Sequence, residues 1–374
     1  MGVKKNFISS RVYPNACWTF NKVLGSGVMG PTSEGKSRKC IWDFLCRSSD
    51  IYSIRMTLSF PKDVDEASKR ITPYINKTYF NYSPTFSKLI KGQVNFKLEN
   101  LQVTGSFKVR GAMNRLLALS EDDRSRGVIA ASTGNHGAAV AYAAKRINIP
   151  CSIYVPKGSS VAKLKNMEQY GAAIHPYGTD CIDSELKARE TAFINKQIYV
   201  SPYNDPLVIA GQGTIGFEIK AQCERLDTLI IAVGGGGLIG GIASYLKLVW
   251  PNMDVIGCSP KNSAVMIHSL EKGELLDLES TPTLSDGTAG GVEKDSITFP
   301  ICQDVIDKTI LVTEEEIKDG MLRFLENEHL LLEGAAGTAI AALLKMKDNL
   351  KHSRVGVVIC GGNISLETLK KILH

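Results

Sequence analysis

Acidic residues are scarce at one end of this 374-residue chain and nowhere else. Residues 1–57 carry nine Lys/Arg against three Asp/Glu, and the first acidic residue is Glu34. The rest holds 35 of each sign, so the formal net charge of +6 belongs to the N-terminal stretch. A neutral body leaves no electrostatic footprint for nucleic acid, and no such partner is expected. Long apolar runs are missing too. Leu229–Val233 and Val355–Cys360 fall far short of the ~18–20 residues that span a membrane. Glycines bound them, so they read as buried parallel strands, and no membrane role is expected. The nine cysteines form no C-x-x-C pair and no zinc-like spacing. They read as reduced, buried thiols of a non-secreted protein.

The first 57 residues also lack hydrophobic periodicity, although they hold Trp18, Trp42 and eight serines. No signal-peptide core is present. Their basic, Ser-rich composition permits a mitochondrial presequence, but Pro14 breaks the most plausible amphipathic helix. A disordered tail, or a start-site artefact with Met56 as an internal start, are the other readings. The expected location is the cytoplasm, or the mitochondrion if the extension is a presequence.

From about Thr57 onward the pattern alternates between strand and helix periods. It predicts helical pieces over Asp63–Ile71 and Glu121–Arg126 and a strand over Val94–Leu98. Strands follow at Val128–Ser132, Ser152–Val155, Ala173–Pro176, Gln197–Val200, Thr228–Val233, Asp254–Cys258, Thr309–Val312 and Arg354–Ile359. Between them lie helices at Ala138–Lys145, Val161–Tyr170, Glu185–Asn195, Thr214–Cys223, Ile239–Leu248, Glu314–Asn327 and Gly337–Met346. Repeated βα units imply right-handed crossovers and a mostly parallel sheet with helices on both faces.

Five segments carry chemistry. Ser106-Phe107-Lys108-Val109-Arg110-Gly111 sets Lys108 at the head of a helix whose apolar face is Ala112, Met113, Leu116, Leu117 and Leu119. The positive end of a helix dipole disfavours a cation there, so the amine makes sense as an imine nitrogen. Ser132-Thr133-Gly134-Asn135-His136-Gly137 follows a strand and opens a helix, offering backbone N–H groups to an anion. Gly234-Gly235-Gly236-Gly237-Leu238 does the same without a dinucleotide fingerprint or a P-loop lysine. Four successive glycines allow close approach to a phosphate. Val358-Ile359-Cys360-Gly361-Gly362-Asn363 ends another strand, and Glu333-Gly334-Ala335-Ala336-Gly337 precedes another helix.

In this order and spacing, these segments and the run Asp205–Thr214 resemble the threonine/serine dehydratase and serine racemase family of pyridoxal-phosphate (PLP) enzymes. The resemblance covers about residues 58–374. It implies a fold-type II α/β enzyme of two lobes, with helices on both faces of parallel sheets and the cofactor in the cleft between lobes. The expected boundaries are a large lobe of 58–126 and 205–374 and a small lobe of 127–204. Lys108 would be the Schiff-base lysine and the catalytic base, with Phe107 beside the cofactor. Ser132, Thr133, Gly134 and His136 would line the substrate carboxylate site, although His136 reads equally well as a packed loop residue. Asn135 would meet the cofactor's phenolic oxygen, Gly234–Gly237 and Leu238 its phosphate, and Cys360 its pyridine nitrogen. Glu333 would lie near the ring or cap a helix.

The implied activity is β-elimination of L-threonine or L-serine to a 2-oxo acid and ammonia. Serine racemisation is an alternative that would use Thr133 as the second acid/base. A catalytically inactive PLP-binding protein is another. No metal is expected, because the racemase cation site falls on Cys258-Ser259-Pro260-Lys261-Asn262-Ser263-Ala264-Val265, which has no carboxylate. An amino-acid substrate and a second copy of the chain, forming a homodimer, are the expected partners.

Overall fold

The computed structural model describes residues 60–374, so the expectations for residues 1–57 lie outside the described residues. Two sheets organise the chain. The first has six strands in the order β1-β2-β10-β7-β8-β9. These are β1 (Phe80–Tyr82), β2 (Gln93–Leu98), β7 (Thr228–Ala232), β8 (Asp254–Pro260), β9 (Lys308–Val312) and β10 (Arg354–Ile359). The second has four strands in the order β5-β4-β3-β6. They are β3 (Val128–Ala131), β4 (Cys151–Val155), β5 (Ala173–Pro176) and β6 (Ile198–Tyr199). Every pairing is parallel except β1 with β2. The apolar run at 228–232 is buried at every position, as a central parallel strand requires.

A helix over 60–71 (α1) opens the described chain. Then come α2 (Pro84–Ile90), α3 (Lys108–Leu117), α4 (Glu121–Arg126), α5 (Asn135–Arg146), α6 (Val161–Glu168) and α7 (Cys181–Ile194). The remainder are α8 (Pro206–Gln222), α9 (Gly237–Val249), α10 (Val265–Lys272), α11 (Thr298–Val305), α12 (Glu314–Glu328), α13 (Gly334–Lys345) and α14 (Leu366–Leu373). Among the described residues, no helix is long and apolar enough to cross a membrane.

One core packs against the six-stranded sheet and a second against the four-stranded sheet. Helix α3 serves both sides. Its apolar face, with Ala112, Met113 and Leu116, joins the second core together with Val140 and Ile153. Its opposite side carries Arg110, which is fully buried. The guanidinium makes paired bonds to Glu99 (2.7 and 2.8 Å) and to Glu218 of α8 (2.8 and 3.0 Å). The buried Lys97 ammonium shares Glu218 and also reaches Gln222 at 3.0 Å. Two cations thus balance two carboxylates, and the first turn of α3 is tied to β2 and α8.

Helix α8 begins at Pro206, eight residues before the predicted Thr214. Asp205 caps it, accepting from the N–H groups of Leu207 and Val208, and Pro206 occupies the first turn. Gly211 and Gly213, poor helix formers, sit inside it as packing residues. A Cβ on Gly211 would lie 2.6 Å from the Arg110 carbonyl oxygen and from Gly111 Cα. One on Gly213 would lie 2.6 Å from Val64. Helices α5 and α13 also begin three residues earlier than predicted, at Asn135 and Gly334. Helices α10, α11 and α14 were not predicted; each has eight residues, and α11 holds Pro300 in its first turn.

Candidate active site

The loops after β3, β7 and β10 meet the segment before α3 at the carboxyl ends of the strands, where α/β sheets place ligands. Backbone bonds set the register. Phe107 N–H donates to the Cys360 carbonyl (3.0 Å) and Gly362 N–H to the Gly105 carbonyl (2.9 Å), and Ser106 bridges Gly361. This zip fixes Lys108 close to Cys360. Phe107 leaves the N-terminus of α3 without a side-chain cap, and the lysine ammonium stands 5.1 Å from the Phe107 ring centroid. Lys108 Nζ donates to the Pro202 carbonyl at 2.9 Å. Burial pushes its amine down to about 8, against the opposing pull of Cys360 and Glu333. Near physiological pH a minority of the amine is therefore neutral, yet far more of it than for an ordinary lysine.

Cys360 is buried at the end of β10, and burial holds its thiol protonated. Glu333 is also buried, and burial raises its carboxyl to about 7 even though the Asn135 amide favours the ionised form. Asn135 Nδ2 lies 2.9 Å from both Glu333 oxygens. Glu333 occupies the N-cap position of α13 but makes no side-chain cap; its carboxylate turns into the site instead. The capping alternative is thus corrected. Asn363, to which no role was assigned, joins the loops. Its Nδ2 donates to Asn135 Oδ1 (2.7 Å) and to the Thr104 carbonyl (2.8 Å), while its N–H reaches Glu333 at 3.3 Å. Its signal was the asparagine closing the Cys-Gly-Gly-Asn turn.

Gly236 has φ +83° and precedes α9, which has no side-chain cap and no acidic residue in its first turn. Within the helix, Gly240 N–H is turned inward to the Gly236 carbonyl at 2.8 Å, leaving the preceding N–H groups without an intrahelical acceptor. The glycines also answer a packing need. A Cβ on Gly235 would meet the Tyr203 ring at 2.5 Å, and one on Gly234 would meet the Thr288 backbone at 3.0 Å. Tyr203 and Thr288 therefore wall the loop; Thr288 stands in the run Asp286–Gly291, which resembles a dehydratase subgroup, whereas no periodic or motif signal pointed to Tyr203. Leu238 is buried behind it.

Gly134 N–H donates to Ser132 Oγ (3.1 Å), which shapes the turn before α5. Thr133 is half-buried, and no hydrogen bond engages its hydroxyl among the described residues. His136 is buried, with Nε2 2.8 Å from the Val200 carbonyl, and burial drives its pKa down to about 3. Its ring braces the four-stranded sheet as a neutral group. At the expected racemase cation position, Ser259 Oγ donates to the Val233 carbonyl (2.7 Å). Ser263 Oγ pairs with Ser280 and accepts from Gly290 N–H (3.1 Å).

An amine held near neutrality beside an uncapped, glycine-lined helix terminus fits a phosphorylated carbonyl cofactor: one group attacks the carbonyl and the other receives the anion. The fold and site define an α/β enzyme built around such a group. The chain belongs to the pyridoxal-phosphate dependent enzyme family, whose model matches residues 71–361. An L-threonine ammonia-lyase of Thermotoga maritima is 38% identical over 84% of this chain and 78% of its own. A serine racemase of Dictyostelium discoideum is 39% identical over 84% of this chain and 97% of its own. The solved structure of processed threonine deaminase isoform 2 from Solanum lycopersicum superimposes with a TM-score of 0.80 at 29% identity, covering 85% of this chain and 92% of that one.

Proposed function

We propose that the chain is an L-threonine/L-serine ammonia-lyase that eliminates the β-hydroxyl of its substrate to give a 2-oxo acid and ammonia. The observation that carries this reading is the buried Lys108 amine, lowered to about 8 and held on the Pro202 carbonyl, with its segment zipped to the strand end that carries the buried, protonated Cys360 thiol. When bound, PLP supplies the sink for the negative charge left at Cα. The N–H groups at the head of α9 would hold its phosphate, and Asn135, whose Nδ2 rests on Glu333, would be the donor for its phenolic oxygen. Cys360 is a weak donor that cannot keep a pyridine nitrogen protonated, which moderates the sink and favours elimination over transamination. Glu333 and Asn363 hold Asn135 in place. The substrate carboxylate takes the Thr133 N–H and the N-terminus of α5, because the Ser132 and Gly134 N–H groups already donate to the Tyr154 carbonyl and to Ser132 Oγ. Lys108 Nζ removes the Cα proton.

Racemisation is the second reading, supported by the unengaged Thr133 hydroxyl. The four-stranded sheet and its core support a small lobe near 127–204, with α3 packed onto it from outside that range. A homodimer in the cytoplasm is the assembly and location we assign. The test is purified protein with PLP and a panel of β-hydroxy amino acids, measuring 2-oxo acid and D-amino acid in one reaction. Excess 2-oxo acid, retained in Thr133→Ala, supports the lyase. D-serine formed faster than pyruvate, and lost in that variant, makes it a racemase; no product from any substrate overturns both.

A further inference from the structure

We propose that Glu293 is a positioning residue that holds the segment Pro202–Asn204 against both Lys108 and the tetraglycine loop. The kinetic arm of this inference rests on the ammonia-lyase reading; the cofactor-release arm does not. Residues 286–297 cross from the six-stranded sheet side to α7 of the four-stranded sheet, and Glu293 is where they are fastened. Its carboxylate accepts from Asn204 Nδ2 at 2.8 Å and pairs with Arg189 of α7 at 3.0 Å. Its own N–H donates to the Tyr203 hydroxyl at 3.0 Å. Asn204 is gripped a second time, because Ile297 N–H donates to its Oδ1 at 3.0 Å. Arg189 does not wander: its guanidinium lies 4.2 Å over the Tyr199 ring centroid, and its Nε donates to Glu185 at 2.9 Å.

The segment so held touches the reacting groups on both flanks. The Pro202 carbonyl takes the Lys108 amine at 2.9 Å. The Tyr203 ring covers Gly235 closely enough that a Cβ there would lie 2.5 Å from it. Side chains of Arg189 and Glu293 are about a third exposed (38% and 27%), so the ion pair alone is a weak clamp. The Asn204 and Tyr203 bonds carry the geometry, and Arg189 orients the carboxylate that makes one of them. Without the Glu293 carboxylate Asn204 keeps only its Ile297 contact, while the backbone N–H of residue 293 still reaches Tyr203, so the segment that bears the Lys108 acceptor and covers the phosphate loop is loosened.

The experiment uses PLP-loaded wild type, Glu293→Ala and Glu293→Gln, and follows PLP release by absorbance beside circular dichroism, kcat and KM. Misplacement of a catalytic group by about 1 Å costs on the order of 100-fold, so Glu293→Ala should release PLP and lose kcat by about 10-fold or more. KM should move by less than about 3-fold and the thermal midpoint should stay, whereas Glu293→Gln, which keeps an oxygen for Asn204, should recover most of both losses. PLP release and kcat of Glu293→Ala within about 2-fold of wild type would overturn the inference. If that variant fails to fold, Asn204→Ala reads the same contact: faster release supports the proposal and unchanged release overturns it. Wild type that binds PLP but turns over no β-hydroxy amino acid defeats the activity reading, and the release rates still decide the role of Glu293.

Discussion

Replacing Arg110 by methionine asks whether a buried charge cluster fixes the helix that carries Lys108. The guanidinium is fully buried and bonds to both oxygens of Glu99 and both of Glu218, with Thr214 Oγ1 at 3.2 Å as a further partner. These carboxylates hold it firmly as a cation, against the cost of burial. Methionine keeps the length and removes the charge, so Glu99 and Glu218 face one remaining cation, Lys97. Removing one partner of a buried pair costs about 3–5 kcal/mol. At roughly 2 °C per kcal/mol, the melting temperature should fall by about 6–10 °C. The sign with pH follows from the surplus negative charge. Without Arg110 the Glu218 carboxyl is no longer held below its ordinary value and burial raises it, so the variant's deficit is smallest in acid and grows as pH rises through that raised folded value. Urea midpoints of the PLP-loaded protein at pH 5 and pH 8, read by circular dichroism, measure this. Glu99→Gln should also destabilise, and the double variant should lose less than the sum by about 1–2 kcal/mol. A loss below about 1 kcal/mol, equal deficits at both pH values, or strict additivity would refute the cluster as the anchor of α3.

Four further outcomes are expected. Apoprotein should capture PLP faster as pH rises through about 8, because only the neutral Lys108 amine attacks, and Lys108→Ala should capture none covalently; a flat profile or residual turnover above about a tenth would sink the role. Glu333, with its folded pKa raised to about 7, contributes stability below its ordinary value that fades as pH rises through 7. Glu333→Gln should therefore flatten the acid-to-neutral stability slope, and an unchanged slope in denaturant titrations would contradict this. Joint Gly235→Ala and Gly236→Ala should raise the PLP concentration for half-saturation, since the added Cβ atoms would strike Tyr203 and Cys302 and one sits at φ +83°; unchanged affinity in an equilibrium titration would reject the cradle. EDTA should leave turnover unaltered and added Mg²⁺ or Ca²⁺ should not raise it; several-fold activation would reveal a site away from Ser259–Val265.

Much of the fold was legible because its signals are local. The bounds of α4, β5 and β10 agree with the pattern, and α3 begins at Lys108, where the polar turn and apolar face placed it. Legibility failed where tertiary contact overrides local preference. Gly211 and Gly213 are poor helix residues, yet α8 runs through them because neighbouring backbones come too close for any side chain. The site divides along the same line. Lys108, the glycine loop and Cys360 stand in motifs whose chemistry is visible residue by residue. Glu333 could be placed near the ring but not told from a helix cap, because the choice depends on Asn135, 198 residues away. Tyr203 and Glu293 meet partners distant in sequence, and nothing in their own neighbourhoods announces it.

The position of β10 bears on when the protein becomes competent during synthesis. Residues 354–359 form the strand between β2 and β7, so the middle of the six-stranded sheet is filled by a segment made after every other strand. Until it inserts, β2 and β7 lack a shared neighbour, and the Gly105–Phe107 turn has nothing to zip against. A nascent chain emerging from the ribosome can thus complete the four-stranded sheet while the lysine remains unplaced. Closing a contact between residues 106 and 361 makes this a late, slow event by loop entropy and contact order. A chain stalled before residue 354 should expose an open sheet centre to chaperones rather than hold PLP.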